Sequence, residues 1–190
     1  MNRYVIGVDA GGTKTTAQAF LASNGTPLSV TVGDFGNVTV DFDRGLAHII
    51  ETTDALIAQT DGTCIFLCVG CAGVETGDKK ARMQAALNAH YPDISVFVTN
   101  DAVLALYGAL KGEDGVLVIA GTGSIGYAKV GKETYRAGGW GHLLSDKGSG
   151  YSIVIDAFTR ITRAFDERHS DTPLVHAVFD ALNITELRSL

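Results

Sequence analysis

Positive charge, cysteine and long apolar runs are all scarce in this chain, and each shortage removes a class of function. Only 15 Lys and Arg stand against 21 Asp and Glu in 190 residues, a formal charge of -6. Binding nucleic acid through its phosphates needs a basic stripe. The densest basic group here is Lys79, Lys80 and Arg82, which reads as a solvated helix face. No nucleic-acid partner is expected. No run approaches the length of about 18 apolar residues that marks a membrane span, and glycines break the longest uncharged stretch, Gly115 to Ala128. The apolar start of MNRYVIGVDAGG is too short for a signal-peptide core. The expectation is a cytoplasmic protein with no membrane partner.

The 3 cysteines, Cys64, Cys68 and Cys71, all lie within CIFLCVGC. Cys68 and Cys71 form a C-x-x-C, which could be half of a redox or metal site. A zinc site needs a second ligand pair, and none stands at a suitable spacing. Ile65, Phe66, Leu67 and Val69 make this segment a buried strand, where free cysteine acts as a small hydrophobe.

Apolar residues and glycine are plentiful, with 46% hydrophobic residues and 23 glycines, so the chain is globular with ample surface for a core. Strands are expected at Tyr4–Asp9, Thr15–Phe20 and Leu28–Val32, joined by short turns as a meander. From Asp41 the apolar period becomes helical, through Leu46, Ile49, Ile50, Leu56 and Ile57 to near Gln59. A strand over Cys64–Cys71, a helix over Lys79–His90 stopped by Pro92, a strand over Ile94–Thr99 and a helix over Asp101–Lys111 follow. Met83, Ala86 and Leu87 are expected to face inward, as are Val103, Leu106, Tyr107 and Leu110. The order is βββαβαβα.

It then restarts. Gly115–Ala120, Ser124–Val130 and Thr134–Ala137 read as a second meander, and Ser149–Phe165 as a helix with Tyr151, Val154, Ile155, Phe158, Ile161 and Phe165 along one stripe. A weaker helix is expected over Leu174–Leu182. Two copies of one unit form the organisation, with domains at 1–112 and 113–190. The second copy lacks two strands and their helices, so the sequence reads as truncated. Apolar faces left uncovered there would lower solubility or drive oligomerisation.

Three segments carry candidate chemistry. In VDAGGTKT, Gly11 and Gly12 let backbone amides approach an anion, Thr13 adds a hydroxyl, and Asp9 at a strand end could hold Mg²⁺ directly or through water. A plain hairpin turn is the other reading. Gly121, Thr122, Gly123 and Ser124 repeat the turn in the second copy, and two such turns across a cleft would hold a nucleotide's phosphates from both sides. In VTNDAVLAL, Asp101 is either a helix cap or a base that accepts the proton of an attacking hydroxyl beside the phosphates. Finally, GGWGHLLSDKGSGYS holds the only Trp among five glycines in fifteen residues, a composition that no regular helix or strand tolerates.

VIGVDAGGTKTTAQAF, TNDAVLALYGAL, VLVIAGTGSIGYA and GGWGHLLSDKGSGYSI together resemble the N-acetylglucosamine kinases of the BadF/BadG/BcrA/BcrD ATPase family, within the sugar kinase, Hsp70 and actin superfamily. The resemblance runs from Tyr4 to about Phe165. It implies an α/β actin-like ATPase (ribonuclease H-like) fold of duplicated βββαβαβα units, the second incomplete. It implies an ATP- and Mg²⁺-dependent kinase that phosphorylates the 6-hydroxyl of N-acetylglucosamine or glucosamine. Asp101 would be the catalytic base and also touch the sugar, with Thr13 and Thr122 on nucleotide phosphate. Asn37, Ser124, Ile125, Gly139, Trp140, Gly141 and Asp146 would contact the sugar. His142 reads as a structural hydrogen-bonder, Lys14 and Lys147 as solvated, and Cys71 as a tolerated small side chain. The similar kinases are commonly homodimers and bind adenosine beyond the position of Leu190. Two rival readings stand: an activating ATPase of a 2-hydroxyacyl-CoA dehydratase, which holds an iron–sulfur cluster between subunits, and a sugar-binding fragment without turnover.

Overall fold

A computed structural model describes residues 2–168 and 172–189. The chain divides after Gly115 into two compact units. The first holds β1 (Arg3–Ala10), β2 (Thr15–Leu21), β3 (Pro27–Gly33), α1 (Phe42–Gln59), β4 (Thr63–Cys71), α2 (Lys79–His90), β5 (Ser95–Thr99) and α3 (Asp101–Leu110). This is the expected βββαβαβα order. The strands form one sheet ordered β3-β2-β1-β4-β5. Short turns make β1, β2 and β3 an antiparallel meander, whereas β4 joins the free side of β1 in parallel and β5 joins β4. The helical crossovers α1 and α2 make the parallel pairings reachable.

Alternation along the strands sorts residues between the two faces of the sheet. Tyr4, Ile6, Val8 and Ala10 of β1 and Leu67, Val69 and Cys71 of β4 are buried on one face, against Ile49 and Leu56 of α1 and Met83 and Leu87 of α2. Tyr91, just past α2, donates its hydroxyl to Asp54 Oδ1 at 2.9 Å and so ties α2 to α1. The opposite face of the sheet meets α3. A Cβ on Gly70 would lie 2.6 Å from the Cβ of Leu104, so glycine is what lets α3 sit this close to β4. The expected inward stripe of α3 is rotated: Ala102 and Leu106 are buried, whereas Tyr107 is 38% exposed. The residue of α3 that meets the sheet at Gly70 is Leu104, which the expected stripe did not include.

The second unit holds β6 (Gly115–Ala120), β7 (Ser124–Val130), β8 (Glu133–Gly138), α4 (Gly150–Asp166), α5 (Pro173–Leu182) and a 3₁₀ turn at Leu187–Ser189. Its sheet is ordered β6-β7-β8, with β7 and β8 antiparallel. Ser149 caps α4 by accepting from Ser152 N at 3.2 Å, and Thr172 caps α5, where Pro173 stands at the first turn. Of the expected α4 stripe only Ile161 is fully buried, while Tyr151, Val154 and Ile155 are exposed. Phe165 stacks on Phe179 of α5. Val116 and Val118 of β6 are also exposed, so this unit carries open apolar surface. Among the described residues no helix is long and apolar enough to cross a membrane.

Gly70→Ala is expected to cost about 1–3 kcal/mol, the usual size of an overpacked core position. Urea unfolding followed by circular dichroism would show a lowered midpoint with an unchanged slope. An unchanged midpoint would mean that α3 does not need this close approach.

Candidate active site

Two sets of groups, one in each unit, carry the candidate chemistry. In the first unit β1 delivers Asp9 to the end of the sheet and breaks into the glycine turn. Gly11 closes that turn, donating its N–H to the Lys14 carbonyl at 3.0 Å. Its own carbonyl accepts from Gly36 N at 2.9 Å, on the strap that leaves β3. The Gly11 amide is therefore committed within the turn, and Gly12 and Thr13 carry the exposed amides. A Cβ on Gly12 would meet nothing within 4 Å, and Gly12 is not among the positive-φ residues. No contact within the unit accounts for a glycine there, and the open space is what an anion approaching the backbone would need.

The strap places Asn37 beside this turn. Gly36 is wedged so tightly that a Cβ would lie 2.6 Å from Ala10 Cβ and 2.7 Å from Thr15 Oγ1. The Cys71 thiol donates to the Gly36 carbonyl at 3.3 Å, and Val38 N donates to Ala72 O at 3.2 Å. Burial, with the Asp101 charge adding to it, holds the Cys71 thiol at about 11, against a backbone hydrogen bond from Val38 and the charge of Lys79. Cys71 is thus more than a tolerated small side chain: it grips the strap next to Asn37. Asn37 Oδ1 accepts from Thr39 N at 2.8 Å. A backbone donor at that position fixes the amide orientation, so Nδ2 is the group left to donate outward. A Cβ on Gly73 would strike Thr39 Oγ1 and Asn37 Oδ1, which keeps that crossing open only to glycine. Thr15 Oγ1 is buried against the same strap without a hydrogen-bond partner.

Asp101 opens α3 at the adjacent strand end. Of the two readings of TNDA, the capping role belongs to Asn100, whose Oδ1 accepts from Val103 N at 2.6 Å. Asp101 occupies the first helical position, with Oδ1 accepting from Ala102 N at 2.9 Å. Its second oxygen is not needed for the cap. Asp9 and Asp101 are near enough to repel. Partial burial raises the Asp9 carboxyl above its ordinary value of 3.8, Asp101 raises it further, and Lys14 opposes both. Paired hard oxygen donors that repel one another suit a divalent cation. Among the described residues no three His, Cys, Asp or Glu side chains gather as a metal cage. Mg²⁺ characteristically takes one or two carboxylates and completes its shell with water and phosphate oxygens, so the residues present fit it.

The second unit repeats the logic. Gly121 donates its N–H to the Gly123 carbonyl at 2.9 Å, and its carbonyl accepts from Gly150 N at 2.8 Å. Tyr151 N donates to Thr122 O at 3.3 Å. The turn is therefore seated on the start of α4, and the amides of Thr122 and Gly123 remain beyond this closure. Asp146 packs directly on it: a Cβ on Gly123 would lie 2.8 Å from Asp146 Oδ2. Asp146 is 8% exposed and has φ +60°, a backbone region that Asp tolerates better than most residues. Gly138, Gly139, Gly141 and Gly148 also have φ between 72° and 87°, which is why the Trp loop is built from glycine.

Trp140 stands 69% exposed above this loop. Ile125 wedges beneath it, since a Cβ on Gly139 would run into the Ile125 side chain. Ser124 donates its hydroxyl to Lys147 O at 2.9 Å, so toward a ligand its oxygen can only accept. Arg136 donates to Gly139 O at 2.6 Å and lies 4.9 Å from the centre of the Trp140 ring. His142 packs edge-on against Tyr151, and Lys14 and Lys147 are exposed. The contributions of Arg136, Cys71, Gly36 and Thr15 escaped the reading of the sequence. Arg136 lies in β8 two residues before Gly138, and that position was the one available signal. Cys68 and Cys71 sit three apart in one strand and so face opposite sides of the sheet, Cys71 in the core cluster and Cys68 outside it. They cannot jointly ligate one metal or cluster.

Similarity to known proteins bears on both units. An N-acetylmuramic acid/N-acetylglucosamine kinase from Clostridium acetobutylicum is 33% identical over 187 residues, covering 96% of this chain and 61% of that protein. An N-acetyl-D-glucosamine kinase from Dictyostelium discoideum is 30% identical, covering 97% of this chain and 62% of that protein. The chain thus spans about three-fifths of the length of the curated relatives it matches. The crystal structure of a candidate N-acetylglucosamine kinase from Chromobacterium violaceum superimposes with a TM-score of 0.70 at 30% identity, covering 94% of this chain and 64% of that one. The α/β architecture is that of the actin-like ATPases and sugar kinases. With residues 6–189 matched, the chain belongs to the BadF/BadG/BcrA/BcrD ATPase family.

Proposed function

We propose that this protein is an ATP-dependent kinase that phosphorylates the 6-hydroxyl of an amino sugar, N-acetylglucosamine or glucosamine. The packing of Asp146 on Gly123 carries the reading, because it builds a carboxylate suited to sugar hydroxyls into the same small structure as a phosphate turn. The amino-sugar kinases among the relatives support it.

Each group has a role that its surroundings permit. Asp101 would take the proton of the 6-hydroxyl through the oxygen left over from its contact with Ala102, orienting that hydroxyl for in-line attack. Asn37 would donate to a sugar hydroxyl through Nδ2, and Asp146 would accept from one or two more. Ser124, Ile125, Gly139, Trp140 and Gly141 would frame the ring. Amides of Gly12, Thr13, Thr122 and Gly123 would face nucleotide phosphates, with Gly11 and Gly121 closing their turns. Asp9 would hold Mg²⁺, which supplies neutralisation of charge on the transferred phosphoryl group. A kinase that draws on ATP would work in the cytoplasm.

A second reading is sugar binding without turnover, since Asp146 and the Trp loop lie within one unit. Calorimetry with N-acetylglucosamine, glucosamine and glucose, each with and without Mg-ATP, separates the two when combined with an assay for sugar phosphate. Saturable amino-sugar binding lost in Asp146→Asn supports the site; Asn keeps the size and tolerates the left-handed backbone. No sugar binding by folded protein would sink both readings.

Asp101→Asn is expected to lower phosphoryl transfer by about 10²–10⁴-fold, the usual contribution of a general base, while leaving sugar affinity within a few-fold. Equal turnover by the variant would remove Asp101 from catalysis.

The same substitution has an equilibrium signature. Removing the Asp101 charge takes away one cause of the Asp9 shift, so the Asp9 carboxyl should titrate nearer 3.8 in a ¹³C NMR titration. Because the folded state holds the Asp9 proton more tightly than the unfolded chain does, Asp9 costs stability as pH rises from 3.8 through its raised value. Asp101→Asn should shrink that loss. An unmoved Asp9 titration would show that the two carboxylates do not interact.

A further inference from the structure

The only Trp of the chain is exposed, stands among left-handed glycines, and would have no fixed orientation on sequence grounds alone. Arg136 supplies one. Its Nη2 donates to the Gly139 carbonyl at 2.6 Å and its Nε to the Gly138 carbonyl at 3.3 Å. The same guanidinium lies over the indole of Trp140 at 4.9 Å from the ring centre. The anchor is well founded: Arg136 sits on β8, paired with Tyr127 of β7, which is 5% exposed. Gly138 and Gly139, at φ +76° and +72°, turn their carbonyls in succession, which is what a planar fork of donors can bridge and a single ammonium cannot. A guanidinium above the ring adds attraction to its electron-rich face.

We propose that Arg136 is a positioning residue for the sugar site: it locks the Gly138–Gly139 turn and occupies one face of Trp140, leaving the opposite face as the platform on which a sugar ring stacks. The inference rests on the reading of the Trp loop as a sugar site, and it adds which residue orders that loop and which face of the indole is open. Arg136 touches the platform and acts on a sugar only through Trp140 and the two glycines.

A single Trp makes the test direct, because every change in Trp fluorescence reports on residue 140. The full chain and its Arg136→Ala, Arg136→Lys and Arg136→Gln variants would be compared by time-resolved anisotropy and by acrylamide quenching, a neutral probe that the lost charge does not attract. Arg136→Ala should shorten the local correlation time of Trp140 and raise its quenching rate at least about twofold. Arg136→Lys, which keeps charge but not the fork, should recover the ring contact only partly. Arg136→Gln, which keeps a donor but not the charge, should recover less. Circular dichroism and the thermal midpoint check that each variant is folded; should Arg136→Ala fail to fold, the Lys and Gln variants carry the comparison.

N-acetylglucosamine is then titrated against each variant. Arg136→Ala should weaken binding about tenfold, the worth of one charge-assisted hydrogen bond, with Arg136→Lys intermediate. Unchanged anisotropy and quenching in folded variants overturn the proposal whatever the sugar does. Loosened Trp140 with unchanged sugar affinity overturns the link to binding. If the wild-type chain shows no N-acetylglucosamine binding at all, the sugar reading itself falls, and the anisotropy result still decides whether Arg136 orders the loop.

Discussion

A glycine carbonyl that accepts one distant backbone N–H is the constraint on which the candidate turn of each unit depends. In the first unit Gly11 O receives Gly36 N at 2.9 Å, and in the second Gly121 O receives Gly150 N at 2.8 Å. In each turn the same glycine also uses its own N–H to close the loop. With both polar groups satisfied internally, the turn is rigid, and the following residues are free to present amides outward. Each distant donor brings functional groups with it. Gly36 brings Asn37, whereas Gly150 brings the end of the Trp loop and Asp146.

This arrangement explains why the substitutable space around the sites is so small. Gly36 is enclosed by Ala10 and Thr15, Gly123 by Asp146, and Gly139 by Ile125 and Arg136. In each case a Cβ would push apart two segments that are remote in sequence. The glycines of these motifs therefore do different jobs. Gly12 and Gly121 face open space, where a ligand can approach, while Gly36, Gly70 and Gly123 are held by neighbours inside their own unit. Mutating the two kinds should separate ligand affinity from folding.

The Asp9 and Asp101 pair shows a related economy. Strand ends β1 and β5 bring two carboxylates together at one end of the sheet, and their repulsion, added to burial, raises the Asp9 carboxyl. Asn100 relieves Asp101 of capping duty, so the second carboxylate can serve chemistry. A cation held by Asp9 would stabilise the charged pair that the sheet alone leaves in conflict.

Local pattern determined most of the architecture. Strand alternation, helical periodicity and glycine turns are read over a few residues, so the element order, the inward Met83 and Leu87 of α2, and the turns at Gly11 and Gly121 were legible in the sequence, whereas Phe66 of the expected buried strand lies exposed. The family followed from the same segments. Tertiary structure decided what depends on contacts between remote residues. It set Leu104 of α3 against Gly70, Cys71 against Gly36, and Asp146 against Gly123. Each of these is a choice between side chains equally acceptable to their own segment. Only the segment packed against them, 35 residues away for Cys71 and Gly36, removes the alternatives, because two atoms cannot share one space and a buried polar group needs a partner.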